Sequence, residues 1–285
     1  MKLPIAALAV SLTCGLFAQP QDGYLDYFAV RVKPDKRAEF DAITKRMADA
    51  NRRNNGDNWI AGEVIFGEGN QVVFVSQRPT YAAIEQGMAA FMGSLAKAFG
   101  PAGMAKLLQD GGATYLSSRG ELRRRRPDLS ANPLTDPAAL NRLIGESRYF
   151  RTVSVRVRSG RSLDYEAQLR EVKAAVERSG PNRRLFVSQS AAGTEGTRYY
   201  LTSVTASLAD FDSIPTPRQT LGEQAYANFL RRSADNVVSN DTIIGRYLPE
   251  LSNPPDAIAA ASPDFWRPMA AAPAKPKPKA AAPPK

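Results

Sequence analysis

The chain has 285 residues and a formal net charge of +10 at pH 7, from 38 Lys and Arg against 28 Asp and Glu. It contains no histidine and a single cysteine, Cys14. Serine–histidine triads, histidine-ligated haem and HExxH zinc sites are therefore impossible, because each of them needs an imidazole. With one thiol in the chain, intramolecular disulfides and clusters of thiolate ligands are excluded as well.

Both ends of the chain have compositions typical of segments outside a folded core. Residues 1–18 combine Lys2 with a short apolar run and end at Ala18, which predicts a secretory signal peptide cleaved there. The alternatives are a buried helix, a retained membrane anchor or a lipoprotein anchor on Cys14. Residues 270–285 contain only Ala, Pro and Lys, so we expect this tail to be disordered.

The five lysines of these two segments account for half of the net charge, which leaves +5 for the body of the chain. We expect a secreted or periplasmic protein with no transmembrane segment after cleavage. Nucleic acid is not an expected partner for an exported protein with so modest a basic excess. A small molecule or an anionic envelope component is the expected partner.

The first half of the chain predicts a strand–helix–strand–strand–helix–strand order. Residues 24–33 alternate as a half-buried strand, with Phe28 on one face and Tyr27 and Arg31 on the other. Residues 36–50 have the apolar spacing of an amphipathic helix. The other predicted elements are strands over 59–66, 71–77 and 113–119, and a helical region over 79–109 interrupted at Gly100-Pro101.

The second half repeats this order. VRVR at 155–158 matches VRVK at 30–33, at an offset of 125 residues. Around residues 124–130 the offset is 122: Arg124, Pro127, Leu129 and Ser130 recur as Arg246, Pro249, Leu251 and Ser252. The predicted organisation is a first repeat over 24–130, a linker over 131–147, a second repeat over 148–252 and an extended exit segment over 253–269.

The β-α-β-β-α-β order of each half is that of a ferredoxin-like unit. On this order and on the duplication, residues 24–252 resemble the dimeric α/β-barrel superfamily, which includes cofactor-free monooxygenases of the antibiotic-biosynthesis type, haem-degrading enzymes and small binding proteins. The resemblance implies an α+β fold in which two ferredoxin-like repeats pack sheet to sheet as an intramolecular barrel. Because the second repeat supplies the partner, we expect a monomer.

One hypothesis for a ligand site follows from the alternation and the offset. If Phe28 packs on the helices, Arg31 faces the space between the repeats, and at the offset of 125 so does Arg156. Glu63 is then the candidate counter-ion of one arginine, which leaves the other for a ligand anion. The alternative is that both arginines lie at the rim and pair with local carboxylates. The candidate ligand-binding residues are Tyr27, Arg31, Trp59, Glu63 and Arg156, with core packing as the alternative for Trp59.

The run Arg123–Arg126 is the densest charge in the chain. It is either an anion- or lipid-binding patch or a solvated segment beyond a strand end, in which Arg124 pairs with Asp128. We find no motif for catalysis, and we expect neither a cofactor nor a metal. The functional expectation is an exported, non-catalytic protein that binds a small anionic or apolar ligand or an envelope partner between its repeats. The alternative is a cofactor-free monooxygenase.

Overall fold

The computed structural model describes residues 23–268. The predicted signal peptide and the predicted tail lie outside these residues. Each half of the described chain contains four strands. These are β1 Tyr24–Val32, β2 Ile60–Phe66, β3 Gln71–Arg78, β4 Tyr115–Arg125, β5 Tyr149–Val157, β6 Phe186–Ala192, β7 Thr197–Thr205 and β8 Val237–Tyr247.

The helices lie between these strands and after the last one. α2 bends at Gly100, whose φ of 70° is not helical and which precedes Pro101, so the predicted interruption is confirmed. Within residues 23–268, no helix combines the length and the apolar character needed to cross a membrane. The helices are α1 Arg37–Arg53, α2 Tyr81–Ala113, α3 Pro137–Glu146, α4 Ser162–Arg178, α5 Pro217–Leu221, α6 Glu223–Asn236, α7 Asp256–Ala259 and α8 Pro263–Trp266.

The eight strands form one closed barrel in the order β1-β3-β2-β8-β5-β7-β6-β4, and every neighbouring pair is antiparallel. The two halves meet edge to edge, through β2–β8 and β4–β6. Since neighbours alternate in direction, β1, β2, β5 and β6 all begin at one end of the barrel. We call this the lower end and the opposite end the upper end.

The two faces of β1 have the roles that its alternation predicts. Val30 and Val32 pack outside the barrel with Phe40 of α1. Tyr27 and Ala29 point into the barrel, where they pack with Val73, Phe150 and other interior side chains. In the second half, Val155 and Val157 pack in the same way against Tyr165 and Leu169 of α4. The barrel therefore has an interior core and two outer, helix-covered cores.

The lower end is covered by the segment after β8. Trp266 is 1% exposed, donates from Nε1 to the Gly145 carbonyl at 2.8 Å and contacts the Tyr247 ring in a tilted arrangement, with the centroids 5.8 Å apart. The structure differs from the sequence prediction in two places. The exit segment 253–269, predicted to be extended, contains α7 and α8, and the predicted linker 131–147 contains α3. The reason is that Asp136 caps α3 ahead of Pro137, and the apolar side of α3 packs on α7.

Candidate functional site

The two predicted arginines lie at the upper end, and the structure does not bring either of them to Glu63. Arg31 pairs with Glu68 at 3.1 Å, and its side chain is half exposed. Arg156 pairs with Glu195 at 3.2 Å. Both carboxylates belong to the neighbouring hairpin turns. The geometry at each arginine is thus the rim-exposed alternative, with a local carboxylate as the partner.

Glu63 and Trp59 lie on the outer side of the sheet, away from Tyr27 and Arg31. Trp59 is 7% exposed in the core beneath α1 and donates from Nε1 to the Leu251 carbonyl at 2.8 Å. Glu63 pairs with Arg37 at 2.7 Å and with Arg246. Burial opposes ionisation, but the two guanidiniums outweigh it and lower the pKa of Glu63. The expectation that the face of Glu63 lines the interior is wrong, because the helices cover that face.

Tyr27 does lie in the interior, next to a residue that the sequence hypothesis left on the surface. Arg123 lies between two aromatic rings, 3.5 Å from the Tyr27 centroid and 3.7 Å from the Tyr200 centroid. Its guanidinium pairs with Glu121 at 2.7 Å, and the Tyr200 hydroxyl donates to the same carboxylate at 2.8 Å. Burial raises the pKa of both tyrosines, so they stay neutral.

The arginine run is therefore not a solvated segment beyond a strand end. Arg123–Arg125 belong to β4, and Arg123 and Arg126 are buried. Arg126 pairs with Asp128 at 2.7 Å and with Glu166 at 2.6 Å, whereas Arg124 contacts Gln189. The run belongs to a strand that joins the two halves, so its side chains alternate between the interior and the outer core.

A cleft with a volume of about 500 Å³ lies at the lower end of the barrel. Pockets of roughly 300–1,000 Å³ with a few convergent polar groups are typical ligand sites. The cleft combines two arginines, a carboxylate and several aromatic or apolar side chains. The lining residues are Arg148, Tyr149, Ala206, Ser207, Leu208, Arg246, Tyr247, Leu248, Pro249, Glu250 and Phe265.

Arg148 is the best placed side chain of this cleft to bind an anion. Its guanidinium stacks 3.9 Å from the Phe265 centroid and donates to the Gly145 and Ser147 carbonyls and to Ser262 Oγ. Among residues 23–268 it forms no ion pair. Burial lowers the pKa of Arg148, but an arginine remains protonated at neutral pH. The cleft therefore contains a fixed positive charge whose hydrogen bonds all go to neutral oxygens.

The other ionisable groups of the cleft have different surroundings. Arg246 shares Glu63 with Arg37, so one carboxylate serves two guanidiniums. Glu250 is exposed and follows Pro249 in a short 3-10 helix. Burial raises the pKa of Tyr247, which therefore stays protonated and can only donate or accept a hydrogen bond. The cleft thus brings two arginines, the Tyr247 side chain and the Glu250 carboxylate together in one lining.

The sequence hypothesis missed this site. Phe265 belongs to a segment whose aromatic residues suggest contact with the body of the chain, but no local pattern singles out Arg148. The two residues meet only because the segment after β8 returns to the lower end.

No protein-family model matches the sequence, and no curated protein matches it. Several solved structures have a similar fold. An anthrone oxidase-like protein has 13% identity and a TM-score of 0.50, covering 80% of this chain and 92% of that one. A protein described as a monooxygenase from Lactobacillus acidophilus NCFM has 10% identity, a TM-score of 0.49 and coverages of 79% and 94%. Chlorite dismutase from Candidatus Nitrospira defluvii has 12% identity, a TM-score of 0.46 and coverages of 88% and 98%.

The closed eight-stranded antiparallel barrel with outer helices is the dimeric α/β-barrel fold, and this barrel fold predicted from the sequence is confirmed. The expectation of a non-catalytic protein is corrected by the same comparison. The structural neighbour with a TM-score of 0.50 is described as an anthrone oxidase-like protein, which agrees with the oxygenase alternative and not with the non-catalytic expectation. At 13% identity or less the likeness shows the fold, and catalysis by this chain is a proposal.

Histidine-ligated haem does not fit the residues present. The sequence has no histidine to serve as its usual axial ligand. The outer side of the second half is filled by Tyr165 and Tyr199, whose rings lie 5.2 Å apart, and by the Arg126–Glu166 ion pair. Within residues 23–268, no group of three or more His, Cys, Asp or Glu side chains is arranged to hold a metal ion.

Proposed function

We propose that the protein is an oxygenase whose substrate supplies the electrons and binds in the cleft at the lower end of the barrel. The observation that carries this proposal is Arg148, a stacked guanidinium that forms no ion pair within residues 23–268, in a cleft of about 500 Å³ lined by Tyr149, Tyr247 and Phe265. A cofactor-free reaction of this kind needs a substrate anion that can reduce O₂. The cleft offers the two features that such an anion needs, which are cationic stabilisation and a planar apolar surface.

Glu250 is the proposed base. It is exposed and lines the same cleft as Arg148 and Arg246, so a substrate bound to the arginines would share the cleft with this carboxylate. As the proton moves to Glu250, negative charge develops on the substrate next to the two guanidiniums. Removal of one such donor typically lowers the rate about 10²–10³-fold.

The substrate class proposed is an acidic aromatic compound such as an anthrone, the compound named in the description of one structural neighbour. The reaction that balances is R₂CH₂ + O₂ → R₂C=O + H₂O. The methylene carbon loses four electrons and two protons, one oxygen atom enters the carbonyl group, and the other leaves as water. No further reductant is required, since O₂ accepts the same four electrons.

The test is oxygen consumption with anthrone, measured with an oxygen electrode and by product analysis. We expect activity in the wild type, and we expect Glu250→Gln to lower kcat about 10²-fold or more, since a positioned base typically contributes 10²–10⁴-fold. Glu250 is exposed, so this variant should fold normally. Arg148→Lys, which keeps the charge but loses the stacked plane, should raise KM more than it lowers kcat.

The matched control is Arg161→Met, which removes an exposed arginine paired with Asp164 on the first turn of α4. It should leave oxygen consumption unchanged. If Glu250→Gln has the activity of the wild type, Glu250 is not the base. If the wild type consumes no oxygen with anthrone or related phenols, the oxygenase proposal is wrong.

Three further proposals concern organisation. The first is that residues 24–130 and 148–252 are two ferredoxin-like repeats. The order of the elements supports it, because it is the same in both halves, and so does the strand pairing, which is β4-β1-β3-β2 in the first half and β8-β5-β7-β6 in the second. The second is that the protein is a monomer. The third is export, which rests on residues 1–18, outside the described residues; N-terminal sequencing of the protein from its host would test the cleavage site.

A further inference from the structure

The upper end of the barrel holds two arginines that face each other directly. In the pairing of β5 with β7, Arg156 lies opposite Arg198. Directly opposite residues of antiparallel strands have Cα atoms about 4.5–5.5 Å apart and side chains on the same face. This face is the interior one, because on β5 it also carries Phe150, which packs in the interior core. Like charges in this position destabilise a sheet unless an anion lies between them.

The protein itself compensates this pair weakly. Within residues 23–268, Arg156 forms one ion pair, with Glu195 at 3.2 Å, and the Glu195 side chain is 86% exposed in the hairpin turn. Arg198 donates to Ser154 Oγ at 3.4 Å, near the limit of a hydrogen bond, and has no ion pair among residues 23–268. Of the two guanidiniums, only that of Arg156 therefore has a carboxylate partner among residues 23–268, and water largely surrounds this carboxylate.

The other charges near the pair come from β8 and from the hairpin. Ser239 lies opposite Arg156 in the β5–β8 pairing, and Asp241 lies opposite Ser154. Asp241 is thus one diagonal step from Arg156, about 7–8 Å away at that spacing, and forms no ion pair in the described part of the chain. The hydroxyls of Ser154 and Ser239 are additional donors around the two arginines.

We propose that Arg156 and Arg198, with Ser154 and Ser239, form a binding site for a small oxyanion of the phosphate or sulfate type. Planar guanidiniums bind such groups through two parallel N–H donors each, and opposed guanidiniums provide these donors from both sides. Glu195 occupies part of the site as an exposed, exchangeable counter-ion. The site lies at the opposite end of the barrel from the cleft, so it is independent of the proposed oxygenase function.

The test is a calorimetric titration of the full chain with inorganic phosphate at constant ionic strength, set by sodium chloride. Arg156→Met and Arg198→Met should each weaken binding about tenfold or more, the effect of a lost hydrogen bond to a charged group. Glu195→Gln and Asp241→Asn should each tighten binding, because they remove a competing or repelling carboxylate. Arg218→Met, which removes an exposed arginine paired with Glu223, should bind phosphate like the wild type.

A parallel titration with glycerol phosphate separates the two sources of such an anion. If glycerol phosphate binds more tightly than inorganic phosphate, the site exists and binds the phosphoryl group of a larger ligand. If it binds equally or more weakly, the site exists and binds the free ion. Wild-type affinity in Arg198→Met overturns the proposal, as does a wild type that binds no phosphate. Unchanged affinity in Glu195→Gln overturns the placement at Arg156. Arg198→Lys keeps the charge and is the second variant if Arg198→Met melts early.

Discussion

Arg123 is the side chain whose loss should most disturb the interior of the barrel. Its guanidinium lies between the Tyr27 and Tyr200 rings and pairs with Glu121, whose side chain is 1% exposed. Arg123→Met keeps the length of the side chain and removes the charge. The carboxylate of Glu121 then stays buried with the Tyr200 hydroxyl and with Arg119, which lies 2.6 Å from Oε1 but whose orientation does not give a hydrogen bond.

The size of the effect follows from these contacts. Breaking a buried ion pair by removing one partner costs about 3–5 kcal/mol, because the other charge remains uncompensated. Arg119 offsets part of that cost, although its side chain is 59% exposed and therefore well screened. We expect a loss near the lower bound, about 3 kcal/mol. In a chain of this size, each kcal/mol of lost stability lowers Tm by about 2–4 °C. The loss of about 3 kcal/mol therefore corresponds to a fall in Tm of about 6–12 °C.

The assay is urea unfolding followed by circular dichroism, with thermal melting as a second measurement. The matched control is Arg124→Met, which removes the next arginine of the same run, an exposed residue that contacts Gln189 at 3.2 Å. Its free energy of unfolding should change by no more than about 0.5 kcal/mol. The double variant Glu121→Gln/Arg123→Met should recover about 2 kcal/mol, since the buried charge is gone. Equal effects of Arg123→Met and Arg124→Met would refute the reasoning.

Two further predictions concern the close contacts of the barrel and its state of assembly. Gly245→Ala should destabilise the fold by about 1–3 kcal/mol, because the new Cβ would lie 2.2 Å from the Phe150 ring and overpack the interior. Gly120→Ala is its control, because within residues 23–268 no heavy atom beyond Gly120 and its two chain neighbours lies within 4 Å of the Cβ position, and the free energy of unfolding should change little. Finally, light scattering in dilute buffer should give the mass of a monomer, since β2–β8 and β4–β6 close the barrel within one chain; an obligate dimer would contradict this.

Local periodicity by itself determined much of the fold. The alternation of Tyr27 and Phe28 assigned the two faces of β1 correctly, and Gly100-Pro101 marked the bend in α2. The strand patterns around VRVK and VRVR placed Arg31 and Arg156 in strands, and they lie near the ends of β1 and β5. These inferences succeed because the periods of 2.0 and 3.6 residues are properties of a single strand or helix.

Closure of the barrel decided the rest. The alternation of β2 shows that Trp59 and Glu63 share a face, but only the helices packed on that face show that it is the outer one. β4 pairs with β6, so Arg123 is enclosed with Tyr200, a residue from the other half of the chain. Likewise, Arg148 meets Phe265 only where the segment after β8 returns to the lower end. Contacts between residues so far apart in sequence depend on which strand edges join, and no local repeat carries that information.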